Sequence, residues 1–367
     1  HVEAGDEFRL ATEIDPGCAL GYWGQAVSWV HPVWPDFPSE DQFARGWDLL
    51  QKARSVGFDS KREERWVEAL EAYYADGLDR TEPERLADYA DAWARVSEED
   101  PGDLEARLFT ALTLIATAPG TDTSFVNQIR AGEIAEEVLA LVPDHPGALH
   151  YIIHAYDVPG LAERALPAAR SYGLVAPENA HALHMTSHIF TRLGLWDESI
   201  DYNRRSAAAA LSHPIEGATA HQHLHALDYL AYAYLQQGED SQTREVLDHL
   251  NRLEGPAVDN VVTAYAFAAV PVRIALERQD WEAAAAVPAR WPEDLTWDRY
   301  PHLEAIVRFG HALAAARTGD LAAATAGVER LETLRQEAAA LPDRYDWGVQ
   351  VEIQRLGASA WLAYAEG

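Results

Sequence analysis

The sequence contains a single cysteine and very few lysines. Cys18 has no second thiol to pair with, which excludes an intramolecular disulfide and a thiolate-rich zinc site. Lys52 and Lys61 are the two lysines of the 367-residue chain, whose 29 basic side chains stand against 59 acidic ones for a formal net charge of -30. Because phosphate binding depends on accumulated Lys and Arg charge, we expect no nucleic-acid partner and no binding to acidic membrane surfaces.

Long apolar runs are missing as well. The longest, such as residues 264–274, are interrupted by Pro271 and Arg273. They fall well short of the roughly 20 residues that a membrane-spanning helix needs, so no membrane insertion is predicted. The chain begins at His1 with no initiator Met and no signal-like segment, so we expect a processed product or a fragment.

Several enzyme motifs are also lacking. The sequence has no glycine-rich phosphate loop, no serine in a nucleophile elbow, no zinc-protease helix motif and no candidate cysteine nucleophile. The enzyme classes that depend on those motifs are therefore excluded.

What the sequence does contain is helical periodicity. Strand signals are nearly absent, and Ala-rich segments with a 3.6-residue period run from end to end. Breaks at Pro143 and Pro177 are separated by the repeat length of tetratricopeptide (TPR) proteins. Later breaks recur at a somewhat longer and nearly constant interval, at Gly194, Gly238, Gln279 and Gly319.

This spacing predicts an all-α fold, a right-handed α-solenoid of about seven or eight TPR-like helix-turn-helix repeats. Each repeat would bury its apolar face against its neighbours. We expect one solenoid over residues 1–367, with histidine-bearing repeats in 1–254 and further helical repeats in 255–367.

Histidine is distributed unevenly. Ten of the fifteen histidines lie between residues 145 and 225. Three pairs have i, i+4 spacing, which places two imidazoles on one face of a helix, as in many metal sites. These pairs are His150/His154, His184/His188 and His221/His225.

Two of the pairs are in register with the repeat. Ala148–His154 and Ala182–His188 share one pattern, displaced by one TPR repeat length, and Ala226–Tyr232 is a third copy with Asp228 in place of the first histidine. Equivalent positions of consecutive repeats stack beside each other in a solenoid. The histidines of both pairs and Asp228 are therefore expected to line up on the first helices, which form the concave face. His225 is expected to reach the same cluster.

Imidazole and carboxylate ligands without sulfur suit a divalent or transition metal ion. Zn or Cu is favoured, and Ni or Fe is also compatible. The predicted ligands are His150, His154, His184 and His188, with His225 and Asp228 as further ligands or supporting groups. The residues predicted to line a pocket around them are His31, Trp34, Tyr151 and Tyr232. An open coordination position would allow hydrolytic or oxidative chemistry on a small molecule, but no residue is assigned a catalytic role.

Several alternatives remain open. The imidazoles can be hydrogen-bonded core residues that the repeat copies for packing, or a histidine beside a carboxylate can act as a general base without metal. The solenoid can also be an interaction scaffold that binds a peptide or partner helix in its groove. The groove lacks the Asn and Lys/Arg residues of a carboxylate clamp, which favours a small molecule or a metal. Histidines near predicted turns are expected to be solvated or to cap helices; they are His145, His181, His213, His221 and His223.

Five segments resemble a widespread and largely uncharacterised group of bacterial TPR proteins. They are residues 19–24, 31–34 (HPxW), 145–157 (with HYxIHAYD), 184–190 (HMxSHIF) and 225–230. The resemblance covers most of the chain up to Gly238 and implies the TPR fold, but it says little about activity. Export signals precede many of the relatives, which implies an extracytoplasmic setting.

Overall fold

The computed structural model describes residues 2–33, 37–212, 221–253, 258–341 and 345–367. Within these ranges the chain forms α-helices, short 3₁₀ turns and loops, and no β-strand. No helix in the same ranges combines the length and the apolar character needed to cross a bilayer.

The helices fall into two compact units, His1–Ala168 and Ala169–Gly367. The helices of the first unit are α1 (Val2–Ile14), α2 (Ala19–Val27), α3 (Glu40–Val56), α4 (Lys61–Tyr74), α5 (Glu82–Glu99), α6 (Leu104–Ala116), α7 (Val126–Leu141) and α8 (Pro146–Tyr156). Helix α9 (Ala162–Val175) contains the division between the units. The helices of the second unit are α10 (Ala180–Leu193), α11 (Trp196–Ser212), α12 (His221–Gln237), α13 (Asp240–Asn251), α14 (Val261–Glu277), α15 (Trp281–Ala286), α16 (Pro301–Thr318), α17 (Leu321–Ala339) and α18 (Trp347–Glu366).

Helices pack in the order in which they follow each other along the chain. From α1 to α8, and again from α10 to α18, each helix packs against the next one. In the second unit α10, α12, α14, α16 and α18 also pack against one another in succession, so alternate helices form a row. This is the arrangement of helix-turn-helix repeats, each of which contacts its neighbours. The prediction of an all-α solenoid of such repeats is confirmed within each unit.

The predicted division into residues 1–254 and 255–367 stays a prediction, because residues 254–257 lie outside the described ranges. The prediction of a single solenoid over the whole chain also stays a prediction.

Turn residues mark the helix ends as the sequence predicts. Gly194 and Gly319 end α10 and α16 with φ of 71° and 84°, in the left-handed region that glycine enters without steric cost. Asp280 precedes α15, and its Oδ1 accepts a hydrogen bond of 3.0 Å from the backbone N–H of Ala283.

Buried apolar side chains hold α10, α11 and α12 together. Leu183, Ile189 and Phe190 of α10 are buried, as are Leu224 and Leu227 of α12. Because these residues fix the rotation of both helices, they also fix where the polar residues between them point.

Candidate metal centre

Helix α10 places two histidines one turn apart. Its start is set by Asn179, whose side chain accepts a hydrogen bond of 2.9 Å from the backbone N–H of Ala182. Residues at i and i+4 share a helix face, and the Nε2 atoms of His184 and His188 are 3.0 Å from each other. Two imidazole nitrogens thus face the same point.

Helix α12 supplies a third imidazole. The ring centroid of His225 lies 4.1 Å from that of His184 and 6.2 Å from that of His188. One ligand nitrogen from each of the three residues can be chosen so that all lie within 4.8 Å of one another. Nitrogen ligands of a tetrahedral Zn²⁺ are about 3.3 Å apart, given metal–nitrogen bonds of about 2.0–2.1 Å. The 4.8 Å within which the three nitrogens lie is therefore somewhat wider than the ligand spacing around one bound ion.

Asn203 of α11 fixes the tautomer of His184. The Asn203 amide nitrogen donates to the carbonyl oxygen of Ser199 at 2.8 Å, so the amide oxygen faces His184. That oxygen lies 2.9 Å from His184 Nδ1, which therefore carries the proton and donates it. Nε2 of His184 consequently carries a lone pair, which faces Nε2 of His188, and supporting hydrogen bonds present imidazole nitrogens in this form in known metal sites.

Tyr229 of α12 contacts His188 in a different way. Its hydroxyl oxygen is 3.3 Å from Nδ1 and 3.4 Å from Nε2 of His188, so it lies at nearly the same distance from both ring nitrogens and is not aligned with either one alone. Tyr229 therefore packs beside the imidazole of His188 and does not fix its tautomer as Asn203 fixes that of His184.

Burial lowers the pKa of two of the three imidazoles. His184 is fully buried. This burial lowers its pKa well below the usual 6.5, and the rings of His225 and His188 lower it further, against the opposing hydrogen bond to Asn203. Burial, followed by the nearby ring of His188, lowers the pKa of His225 to about 3. Both imidazoles are therefore neutral at pH 7, the form that binds metal ions.

The other predicted pair lies in the first unit. His150 and His154 are one turn apart on α8, with ring centroids separated by 4.6 Å, and both are half-buried. Tyr151, predicted to line the pocket, is half-buried beside His150 at 5.7 Å between ring centroids. The predicted convergence of this pair with the α10 pair concerns both units and stays a prediction.

Asp228 does not belong to the group of three. Its carboxylate is buried and forms an ion pair of 2.6 Å with Arg273 of α14. Among the described residues, the group of possible metal ligands beside the α10 pair contains His225 and does not contain Asp228. The role predicted for Asp228, as a ligand or as a supporting group, stays a prediction. Tyr232, predicted to line the pocket, packs edge-on against Trp196 and under the Arg273 guanidinium.

Two further pocket residues were predicted near the start of the chain. His31 follows α2, and its Nε2 lies 3.0 Å from the backbone oxygen of Ser28. Trp34 lies outside the described residues. The pocket-lining role of both stays a prediction.

The histidines near predicted turns differ in their surroundings. His145 caps α8, accepting a 3.4 Å hydrogen bond from the backbone N–H of Ala148, as expected. His223 is buried, so the expectation of a solvated or capping residue is wrong there. Its Nδ1 donates to the backbone oxygen of Ala207 at 2.9 Å, and its Nε2 lies 2.7 Å from Nε2 of His249. His213 lies outside the described residues.

Two residues that contact the histidines, Asn203 and Tyr229, are assigned no role from the sequence. Asn203 lies 19 residues from His184 and carries no motif that ties it to a histidine. Tyr229 was open to recognition, because it follows His225 at the i+4 position, the spacing of the histidine pairs. The motif His-x-x-x-His occurs on α8 and on α10, and α12 carries His-x-x-x-Tyr instead.

Comparisons with known proteins add little to this picture. No protein-family model matches the chain, and no curated protein matches it. The structure is remotely similar to the human IFIT1 dimer with m7Gppp-AAAA, at 13% identity and a TM-score of 0.39, over 98% of this chain and 81% of that one. It is also remotely similar to yeast Tom70, at 11% identity and a TM-score of 0.31, over 97% and 85% of the two chains. At these TM-scores neither similarity bears on function, and the fold is established by the helix packing itself.

Proposed function

We propose that the second unit binds one divalent transition-metal ion through His184, His188 and His225. The observation that carries this proposal is the convergence of three imidazole nitrogens within 4.8 Å of one another. A single metal ion would be bound by one nitrogen from each of the three rings.

The surroundings of the histidines fit a metal. His184 is held by Asn203 with its Nε2 lone pair directed toward His188. The low pKa of His184 and of His225 means that protons do not compete with a metal ion at neutral pH. Neutral nitrogen ligands without sulfur or carboxylate favour Zn or Cu, with Ni and Fe also compatible.

Three protein ligands leave a coordination position open, as in catalytic rather than structural zinc sites. A metal ion bound there supplies Lewis acidity to a water or an oxygen-bearing small molecule. Tyr229 lies beside the group, with its hydroxyl oxygen 3.4 Å from Nε2 of His188. We therefore propose a small molecule as the partner of this site.

The test is the metal content of untagged protein, measured by elemental mass spectrometry before and after reconstitution with Zn, Cu, Ni or Fe. We expect about one ion per chain in the parent and a loss of at least tenfold in affinity for His188→Ala, which removes a half-buried ligand. His311→Ala is the control, because His311 lies in the same unit but donates to the backbone oxygen of Val287.

Protein that takes up no metal under any of these conditions would refute the proposal. The remaining hypothesis would then be the interaction scaffold, and capture of partners would be the next experiment. Equal loss in the His188 and His311 variants would show that the change acts through folding and not through a ligand.

A further inference from the structure

The second unit also contains a cavity that none of the three histidines lines. Helices α12, α13, α14 and α15 and the segment 287–291 line this half-open cavity of about 690 Å³. This volume is within the range of small-molecule sites, about 300–1,000 Å³. The cavity uses none of the proposed metal ligands.

The walls of the cavity are largely apolar. Leu235, Leu250 and Phe267 line it and are buried, so they belong to a fixed wall and not to a flexible surface. Leu247 and Ile274 extend the apolar lining. Such a wall favours a ligand with an apolar body, since removing CH₂ groups from water is favourable.

Most charged groups around the cavity already have partners. Asp240 forms an ion pair with Arg278. Asp280 caps α15 through a hydrogen bond of 3.0 Å from Ala283. Arg244 lines the cavity and makes no ion pair or side-chain hydrogen bond with any residue that the structure describes. In a chain with 59 acidic and 29 basic side chains, a guanidinium without a carboxylate partner is an available anion site.

From the apolar wall and this guanidinium, we infer that the cavity binds an amphipathic monocarboxylate, with its chain between α12 and α14 and its carboxylate at Arg244. Trp291 lines the same cavity and is 46% exposed, which leaves its ring available to cover the chain of a bound ligand. This inference is independent of the proposed metal site.

Isothermal titration calorimetry with dodecanoate, below its micelle concentration, tests the inference. We expect saturable binding of one molecule per chain. Arg244→Gln should weaken binding about two- to fivefold, as expected for the loss of an ion pair with an exposed guanidinium. Arg252→Gln is the matched control, because Arg252 lies at the end of the same helix, is exposed and does not line the cavity.

Two further comparisons separate this site from non-specific adsorption. Ala286→Phe should block binding by filling the cavity, whereas Ala285→Phe, on the exposed neighbour that does not line it, should leave binding intact. Dodecyltrimethylammonium, which carries the same chain and a positive charge, should bind more weakly than dodecanoate. General attraction to a chain of net charge -30 predicts the opposite order.

Absence of dodecanoate binding would overturn the inference. So would binding of several molecules that no variant affects, or a preference for the ammonium compound. Loss of metal with retained dodecanoate binding would leave this inference standing and refute the proposed metal site alone.

Discussion

Replacing Asn203 with leucine tests how the proposed metal centre is built. The leucine side chain is close in size to asparagine but cannot accept the proton on His184 Nδ1, which now lies 2.9 Å from the amide oxygen. Without that acceptor, the ring is free to move its proton to Nε2, the nitrogen that faces His188. We therefore expect Asn203→Leu to weaken metal binding although Asn203 is not a ligand.

The expected loss is about 10–100-fold in affinity, or about 1.4–2.7 kcal/mol, the usual effect of removing a supporting hydrogen bond from a metal ligand. Ser206→Ala is the matched control. Ser206 lies on the same helix, is also buried and donates to the backbone oxygen of Ala180 on α10 at 2.7 Å. Its removal costs about 1 kcal/mol of stability between the same two helices without changing the environment of His184.

Competition with a coloured zinc chelator at pH 7 measures these affinities directly. Parent affinity in Asn203→Leu would refute the argument that Asn203 sets the tautomer of His184. An equal loss in Ser206→Ala would also contradict it, because packing of α10 on α11 would then account for the whole effect.

Three further predictions concern the metal-free fold. The first compares the parent with His225→Phe in urea titrations as pH falls from 7.5 to 5, and the parent should lose about 2 kcal/mol more stability. The reason is that the His225 imidazole takes up a proton near pH 6.5 in the unfolded chain, whereas its pKa in the folded chain is about 3. Equal losses in the two proteins would contradict this prediction. Glu304→Gln should destabilise the second unit by about 3–5 kcal/mol, since the buried carboxylate binds three arginines, and an unchanged melting curve would exclude that role. Gly46→Ala should lower the stability by about 1–3 kcal/mol in thermal unfolding, because the added methyl group overlaps the buried ring of Tyr74. An increase in stability, as helix propensity alone predicts, would show that the Tyr74 ring moves aside.

The helices were predictable because their ends depend on local chemistry. Gly194 and Gly319 adopt positive φ at the ends of α10 and α16, and Asp280 caps α15. Each of these features involves residues within one or two turns of each other, so the sequence displays it directly.

The candidate site was predictable only in part. The pair His184/His188 follows from helix geometry, but its third member depends on how α12 is rotated against α10. The Ala-Leu pattern predicts that Asp228 stacks beside His184, whereas the ring beside it is His225, nearly one turn earlier on α12. Asp228 lies 44 residues after His184 and His225 lies 41 residues after it, so the Ala-Leu pattern is offset by three residues from the imidazole that packs there.

Long-range partners were beyond the reach of sequence patterns. Asp228 binds Arg273, 45 residues away, and no local signal links the two. The cavity beside α13 likewise depends on side chains from four helices. Such features are set by packing across repeats and not by the periodicity within one.

The His-x-x-x-Tyr pair of α12 differs from the histidine pairs by one codon position. Tyrosine and histidine codons differ by a single nucleotide, and Tyr229 occupies the place that histidine holds in His-x-x-x-His on α8 and α10. If the proposed metal ion binds to this unit, a histidine there would offer a fourth nitrogen, whereas tyrosine leaves three protein ligands and an open position. A structural metal site and one open to an outside ligand would then be a single point mutation apart.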